Sequence, residues 1–341
     1  MVDFKLFKKN GTFMMASDGG STIMMEKEFP KTEKRKTKYD VIIIGAGPAG
    51  YTAGIYCSRA RHETLILSGI LPGGQLVNTT EVENYPGFEN GIMGPDLMMI
   101  MRKQTERMGT TIIDDEVIDV DFRHKPFKIL TASEEYECKA VIIATGASPR
   151  KLGISGEQAF SGRGVSYCAT CDGPFFRNQE IVVVGGGDSA VEEATFLTKF
   201  GSKVHLIHRK DQLRASKVMQ ERAISNPKIQ IHWNCIVDDI QGKEKVNNVI
   251  LADIKSGQKT TLSAGAVFVA IGHEPNTKIF IDRIELDEQG YIKLKENTKT
   301  NVPGVFAAGD VHDHRYRQAI TAAGYGCMAA IDVDRYLVEN K

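Results

Sequence analysis

After the first 38 positions, the apolar residues of this chain gather in short unbroken runs. The first is Tyr39-Asp40-Val41-Ile42-Ile43-Ile44; runs of this kind belong to strands buried on both faces, as in parallel sheets. It leads into Gly45-Ala46-Gly47-Pro48-Ala49-Gly50, a helix-compatible stretch from Tyr51 to Ala60, and a second strand, Thr64-Leu65-Ile66-Leu67. The same order returns about 140 residues later. Ile181-Val182-Val183-Val184 runs into Gly185-Gly186-Gly187-Asp188-Ser189-Ala190, then a helical stretch from Val191 to Phe200 and the strand Val204-His205-Leu206-Ile207. A lone glycine fingerprint says little, but two in full βαβ context predict two dinucleotide-binding units.

Two further segments read as seams between these units. Val141 to Pro149 is a strand ending in a Thr-Gly turn, and Val267 to Asn276 repeats the design. A later strand, Val305-Phe306-Ala307, ends at Ala308-Gly309-Asp310. The second glycine turn lies between the seams, so the pattern predicts an α/β protein of two Rossmann-like domains. The first is discontinuous, 39–149 and 274–341, and the second, 150–273, is inserted into it. Residues 1–38 mix Lys with Asp and Glu, carry paired methionines and show little periodicity, which predicts a flexible extension. They are too acidic for a transit peptide and lack the apolar centre of a secretory signal.

Charge narrows the partners. The 341 residues hold 43 basic and 43 acidic side chains, so nothing favours nucleic acid or an anionic membrane as the main partner. No apolar run approaches the roughly 20 residues needed to span a bilayer. Cysteines occur at 57, 138, 168, 171, 235 and 327, and only Cys168-Ala169-Thr170-Cys171 is closely spaced. This fits a reducing, cytoplasmic setting with one redox-active pair and four buried thiols.

At each glycine turn the missing side chains let the backbone approach a pyrophosphate, and the following helix presents free N–H groups to it. In the second unit the strand is followed by His208-Arg209-Lys210, with Arg214 one turn on. An acidic residue there would hold the ribose 2′-OH of NAD; a basic cluster suits a 2′-phosphate and points to NADPH. The first unit has Ser68-Gly69 at this place, and spacing alone leaves its nucleotide undecided. Asp310 offers a carboxylate of the kind a flavin ribityl chain needs.

The two-residue spacing of Cys168 and Cys171 lets their thiols close a small disulfide ring. At a helix start, backbone N–H groups would favour the thiolate that exchange requires. Asp172 follows at once and can carry a proton to a departing thiolate. A zinc site would want a second short-spaced pair, which the chain lacks; no metal is expected. NADPH donates hydride, thiols exchange electrons through sulfur, and a flavin joins the two. The economical reading is a relay.

These residues closely resemble the low-molecular-weight thioredoxin reductases over roughly positions 39–337. The likeness rests on GAGPAGYTA (45–53), PGGQL (72–76), TTEVENYPGF (79–88), ATGASPR (144–150), SYCATCDGP (166–174), GGGDSAVEEA (185–194), HLIHRKDQLRASK (205–217) and GVFAAGDVHDHRYRQAI (304–320). It implies a homodimer that reduces thioredoxin, with FAD in the outer domain and NADPH in the inserted one. FAD contacts would fall on the turn Gly45, Ala46, Gly47, Pro48, Ala49 and Gly50, on Gly74, Gln75 and Asn84, and on Asp310, Arg317, Gln318 and Ala319. Pyridine-nucleotide contacts would fall on Gly187, Asp188, Ser189, Ala190, His208, Arg209, Lys210 and Arg214. Cys171 would lie nearer the flavin, Cys168 would attack thioredoxin, and Asp172 would be the proton donor. The family also implies a domain rotation, for which Gly146 and Gly272 stand at the two crossings.

There are departures and alternatives. Lys210 stands where the family more often has Arg, which removes a bidentate fork. Pro174 interrupts an aromatic segment, leaving Phe175 and Phe176 either to dock a partner or to pack in the core. The competing functions are a flavoprotein serving another dithiol partner (a glutaredoxin-like or peroxiredoxin system), a ferredoxin-driven variant, and a non-catalytic redox sensor. A peroxiredoxin-type reductase would carry a further N-terminal CxxC domain, and residues 1–38 hold no cysteine. The basic cluster speaks against ferredoxin.

Overall fold

Alternation of side chains explains why the first apolar run is unbroken. In strand β1 (Lys38–Ile44) Val41 and Ile43 enter one hydrophobic core while Ile42 and Ile44 enter another on the opposite face, and Val41, Ile42 and Ile43 are fully buried. Burying a side chain of this kind stabilises the fold by about 1.5–3 kcal/mol, so a polar residue at any of these positions would be costly. The computed structural model describes residues 36–69 and 72–340 throughout. Before them it describes only the backbone of three strands, Phe4–Lys9, Thr12–Ser17 and Thr22–Ile23, which form a small antiparallel sheet. The rest of the extension expected at 1–38 lies outside the described residues, apart from residues 36–38.

β1 is followed by α1 (Pro48–Arg59), β2 (Thr64–Leu67), α2 (Gly94–Arg107) and β3 (Thr111–Ile113). A hairpin of β4 (Val117–Asp121) and β5 (Phe127–Thr131) precedes the long strand β6 (Glu135–Ile143), which pairs antiparallel with β5 over its first half. The chain crosses at β7 (Ala147–Pro149) into β8 (Val165–Ser166), the single helical turn α3 (Ala169–Asp172) and β9 (Glu180–Val184). Then come α4 (Asp188–Leu197), β10 (Lys203–His208), α5 (Lys217–Ser225) and β11 (Ile229–Trp233). An antiparallel sheet of β12 (Cys235–Gly242), β13 (Val246–Asp253) and β14 (Lys259–Ser263) leads to β15 (Ala266–Val269). The chain returns at β16 (His273–Pro275), reaches β17 (Val305–Ala307) and closes with α6 (Ala319–Glu339).

The two parallel sheets share the order of their first four strands and differ in the edge strand, which comes last in the chain in one and first in the other. One runs β3-β2-β1-β6-β17 and the other β11-β10-β9-β15-β8, so each glycine turn leaves the centre of its sheet at a carboxyl end, where doubly wound folds bind ligands. The fold is thus two Rossmann-like domains, one inserted in the other, and between them β7 and β16 form an antiparallel ribbon. Both helices after the turns begin earlier than expected, at Pro48 and Asp188, because each turn itself supplies the first helical residues. Pro48 suits the start of α1, where an N–H has no partner in any case.

α6 was not anticipated from its apolar pattern. It packs on α1 through small residues, and a Cβ on Gly326 would come within 2.1 Å of the Ala49 carbonyl oxygen. Cys57 and Cys138 are buried, and burial pushes the Cys57 thiol up to about 12. Contrary to expectation Cys235 and Cys327 are partly exposed, since β12 and α6 each turn one face outward. Among the described residues, no helix is long and apolar enough to cross a membrane.

Candidate active site

At the first turn each glycine answers a different constraint. Gly45 has φ +109°, and a Cβ there would lie 2.3 Å from the Ala144 oxygen; a Cβ on Gly50 would lie 2.0 Å from the Gly45 oxygen. Gly47 has ordinary backbone angles, and a Cβ would meet nothing within 4 Å. The outer two glycines serve the turn and the packing of α1, and the middle one leaves room above the backbone. The second turn repeats this: a Cβ on Gly185 would collide with the Ala270 oxygen at 2.4 Å, Gly187 is open, and Ala190 fills the third place fully buried.

A cavity of about 2050 Å³ lies over the first turn. Of the expected flavin residues, Gly45 to Ala49, Gly74, Gln75, Asn84, Asp310, Arg317, Gln318 and Ala319 all line it, and only Gly50, beneath the turn, does not. Cys168, Cys171 and Asp172 line it too, as does Ser189 from α4. Gly73 holds the next loop over the turn through a 3.1 Å bond from its N–H to the Ala46 carbonyl. Ser68 reaches the Asp114 carboxylate at 2.7 Å, so an acid missing from the end of β2 stands one strand away.

Three acidic side chains face this cavity with a buried oxygen that has no hydrogen-bond partner: Asp172 Oδ1, Glu193 Oε2 and Asp310 Oδ1. Burial, with Asp313 adding to it, pushes Asp310 up to about 7; Arg317 partly offsets this. Burial also pushes Glu193 up to about 7 and raises Asp172. Orphaned buried acceptors are expensive, and a polyhydroxylated ligand with N–H and O–H donors fits them. Glu193 escaped the sequence reading, although it lies one helical turn after Ser189 on α4.

Cys168 and Cys171 are joined in a disulfide, with Cα atoms 5.3 Å apart. Cys168 caps α3 at its N-terminal end, its N–H bonded to the Ser166 hydroxyl at 3.0 Å. Just before it, the Tyr167 hydroxyl donates to Glu157 at 3.1 Å. Glu157 is buried and also accepts the Leu152 and Gly153 N–H groups at 2.9 Å each, so the segment entering the cysteine pair is anchored on a satisfied carboxylate. Gln318, at the start of α6, points its amide at the pair from the other domain, 3.9 Å from Cys168 Sγ.

The expected nucleotide residues of the inserted domain divide. The Arg214 and Ala215 N–H groups bond the Gly186 carbonyl at 2.6 and 3.1 Å, which draws the basic loop beside the second turn, and Arg209, Lys210 and Arg214 are exposed there. His208 is buried instead: its Nε2 donates to the Gln212 carbonyl at 3.0 Å and its ring fills the space under Gly186. Asp188 accepts the Ser216 N–H at 2.8 Å, which holds its carboxyl below the usual range. None of Gly187, Arg209, Lys210 and Arg214 lines the large cavity.

At the crossings, Gly146 and Gly272 have φ of +68° and +102°, and a Cβ on either would meet nothing within 4 Å. Conformation, not space, reserves them for glycine. Asn276 clasps the crossing, its side-chain N–H bonded to the Thr145 carbonyl at 2.8 Å. An Arg317 N–H donates to His273 Nδ1 on β16, and burial, reinforced by Arg317, pushes that imidazole down to about 4, so it is a neutral acceptor. The two aromatics after the cysteines divide as well. Phe176 packs edge-on against Phe268, while Phe175 is 38% exposed.

The family described as pyridine nucleotide-disulphide oxidoreductase matches residues 39–326. A thioredoxin reductase of Streptomyces clavuligerus is 54% identical over 302 residues, 87% of this chain and 94% of that one. The thioredoxin reductase of Streptococcus pyogenes is 45% identical and superposes with a TM-score of 0.85 over 89% of this chain and 99% of its own. The Lactococcus lactis enzyme, in what is termed its FR conformation, is 46% identical over 88% of this chain and 99% of its own, yet its TM-score is 0.60. With two glycine turns, a disulfide set against one of them and this similarity along nearly the whole of both domains, the chain belongs to the pyridine nucleotide-disulphide oxidoreductases, in the branch of the low-molecular-weight thioredoxin reductases.

Proposed function

We propose that the protein reduces the disulfide of thioredoxin with electrons from NADPH, using FAD held at the first glycine turn. The observation that carries this reading is the Cys168–Cys171 disulfide lining the same cavity as that turn and Asp310. When bound, FAD supplies the link between hydride transfer and disulfide reduction. The chain's own part is positional. Gly47 and the first turn of α1 would hold the pyrophosphate of FAD, the Asp310 carboxylate would accept from a ribityl hydroxyl, and Gln75, Asn84, Arg317, Gln318 and Ala319, which line the same cavity, would complete its site.

Cys171 would be the thiol that exchanges electrons with the flavin, and Cys168 the one that attacks the partner. Cys168 thiolate forms a bond to one sulfur of oxidised thioredoxin as that disulfide breaks. Cys171 thiolate then attacks Cys168 Sγ, which restores the internal disulfide and releases dithiol thioredoxin. Asp172, whose carboxyl burial raises above the usual carboxylate range, gives its proton to a departing thiolate. Phe175 offers an exposed aromatic anchor for the partner. Arg209, Lys210 and Arg214 take the 2′-phosphate of NADPH, with His208 supporting the turn from below.

With the disulfide beside the flavin residues and the basic loop outside the cavity, nicotinamide and disulfide cannot use the flavin in one arrangement. The inserted domain therefore turns about β7 and β16, with Gly146 and Gly272 supplying backbone freedom. Two relatives of nearly equal identity that superpose so unequally support this. The exposed Tyr56, Met328 and Ile331 of α1 and α6 suit a homodimer interface, and the free thiols suit a reducing, cytoplasmic setting.

The relay is tested in one cuvette. Anaerobic NADPH should bleach the flavin bands, NADH should do so far more slowly, and oxidised thioredoxin should restore them. Bleaching without recovery would mean another disulfide partner; no bleaching would favour a ferredoxin-type donor.

Asp310 gives a pH prediction. Its folded value of about 7 stands above the unfolded 3.8. Between those values the folded flavin-free chain holds a proton that the unfolded chain has lost, so this group's contribution to stability falls as pH rises and is gone above about 7. In flavin-free protein, the unfolding free energy of Asp310→Asn at pH 8 should exceed the parent's by on the order of a few kcal/mol, and the gap should close near pH 4. A gap that does not change with pH would remove the ionisation argument. Flavin loading should reverse the order, because the carboxylate then has a hydroxyl to accept.

A further inference from the structure

We infer that Thr170 is a positioning residue which, with Gln318, forms a latch holding the disulfide toward the cavity. The inference rests on the relay above, in which the inserted domain must turn away. The chemistry needs Cys168, Cys171 and an acid, and assigns nothing to the residue at 170. Yet its side chain makes a direct hydrogen bond to the other domain. Gln318 Nε2 donates to Thr170 Oγ1 at 3.2 Å, across 148 positions of sequence. The same amide lies 3.9 Å from Cys168 Sγ, and Thr170 Oγ1 is 3.3 Å from that sulfur. Asn84 steadies the amide from behind, donating to Gln318 Oε1 at 3.3 Å.

The latch is built to open. Gln318 Nε2 carries two hydrogens but has four acceptors in reach, the other two being the carbonyls of Tyr316 at 3.2 Å and Arg317 at 3.0 Å. When the redox loop leaves, both hydrogens still have partners in their own domain, so no donor is orphaned. Thr170 is exposed and exchanges its partner for water. Release therefore costs no more than one ordinary neutral hydrogen bond, a factor of about two to ten in the equilibrium between the two arrangements. A charged pair here would close the cavity too firmly for repeated turnover. Arg317, the next residue along, contacts His273 on the crossing ribbon, so one junction at the start of α6 touches both the redox loop and the hinge.

The test is the rate at which a water-soluble trialkylphosphine reduces Cys168–Cys171 in the oxidised, flavin-loaded protein. Disulfide held in the cavity is half-buried, and disulfide swung out is more open to the reagent. Thr170→Val should raise this rate about two- to tenfold, and Thr170→Ser, which keeps the hydroxyl, should leave it near the parent value. Gln318→Asn keeps an amide but withdraws it by one methylene, and should also raise the rate. In the double variant Thr170→Val/Gln318→Asn the gains should not multiply, because both remove one contact. An unchanged rate in Thr170→Val would overturn the latch. So would an acceleration that persists in full in the Gln318→Asn background, since the hydroxyl would then act only on its neighbouring sulfur. The assay uses neither NADPH nor thioredoxin, so its failure leaves the relay standing, whereas unbleached parent protein would defeat the relay without moving this rate.

Discussion

Cys171→Ser and Cys168→Ser should each lower NADPH-driven reduction of thioredoxin by at least about three orders of magnitude, while the protein stays yellow. The size follows from the chemistry. Disulfide exchange needs two sulfurs that alternate between thiolate and bonded states, and a serine hydroxyl at either place can neither form the internal disulfide nor leave as a stable anion. Folding should be spared. The pair sits on a single helical turn, α3, whose neighbours are fixed by other groups: Ser166 on the Cys168 N–H, and Glu157 through Tyr167. The two variants should also differ. Cys171→Ser leaves Cys168 free to attack thioredoxin, so a mixed disulfide should build up with no thiol to resolve it, while Cys168→Ser should form none. Full activity in either variant would sink the relay; a mixed disulfide trapped by Cys168→Ser instead would reverse the two roles.

Both sheets could be read from the sequence because their central strands are buried on both faces. Val41 to Ile44 and Ile181 to Val184 have no polar side to confuse the pattern, and each ends in a turn whose glycines answer separate constraints. The antiparallel strands β12, β13 and β14 carried a weaker signal, since one face is solvated and their apolar positions alternate with polar ones. α6 was obscured for another reason. Its buried face carries Ala322, Ala323, Gly326, Ala329 and Ala330, and small residues give little contrast between a buried face and an exposed one. At the site, motifs marked the cysteines, the turns and the basic loop. Sequence could not separate His208, turned inward under Gly186, from Arg209 beside it, turned outward. Nor could it find Glu193, Thr170 with Gln318, or His273 with Arg317, because those pairings depend on how two distant segments meet.

The two middle glycines offer the sharpest separation of the two cofactors. Gly47 and Gly187 have φ of −78° and −91° with extended ψ, angles open to any residue, and a Cβ on either would meet no protein atom within 4 Å. Neither backbone strain nor packing requires glycine there, so the requirement left is close approach by a ligand. Gly47→Val should fold with unfolding free energy within about 0.5 kcal/mol of the flavin-free parent and yet purify almost colourless. Gly187→Val should stay fully yellow and need roughly 100-fold more NADPH for half-maximal bleaching, the loss expected when charge-assisted bonds of about 1.5–3 kcal/mol each to a pyrophosphate are broken. Gly45→Val is the contrasting control: at φ +109° and 2.3 Å from the Ala144 oxygen it should destabilise the domain itself. The measurements are flavin content by absorbance, thermal unfolding, and an NADPH titration of each variant. A yellow Gly47→Val would move the flavin pyrophosphate away from this turn. An unaltered NADPH titration in Gly187→Val would do the same for the second nucleotide, and the assignment of one cofactor to each βαβ unit would then have to be withdrawn.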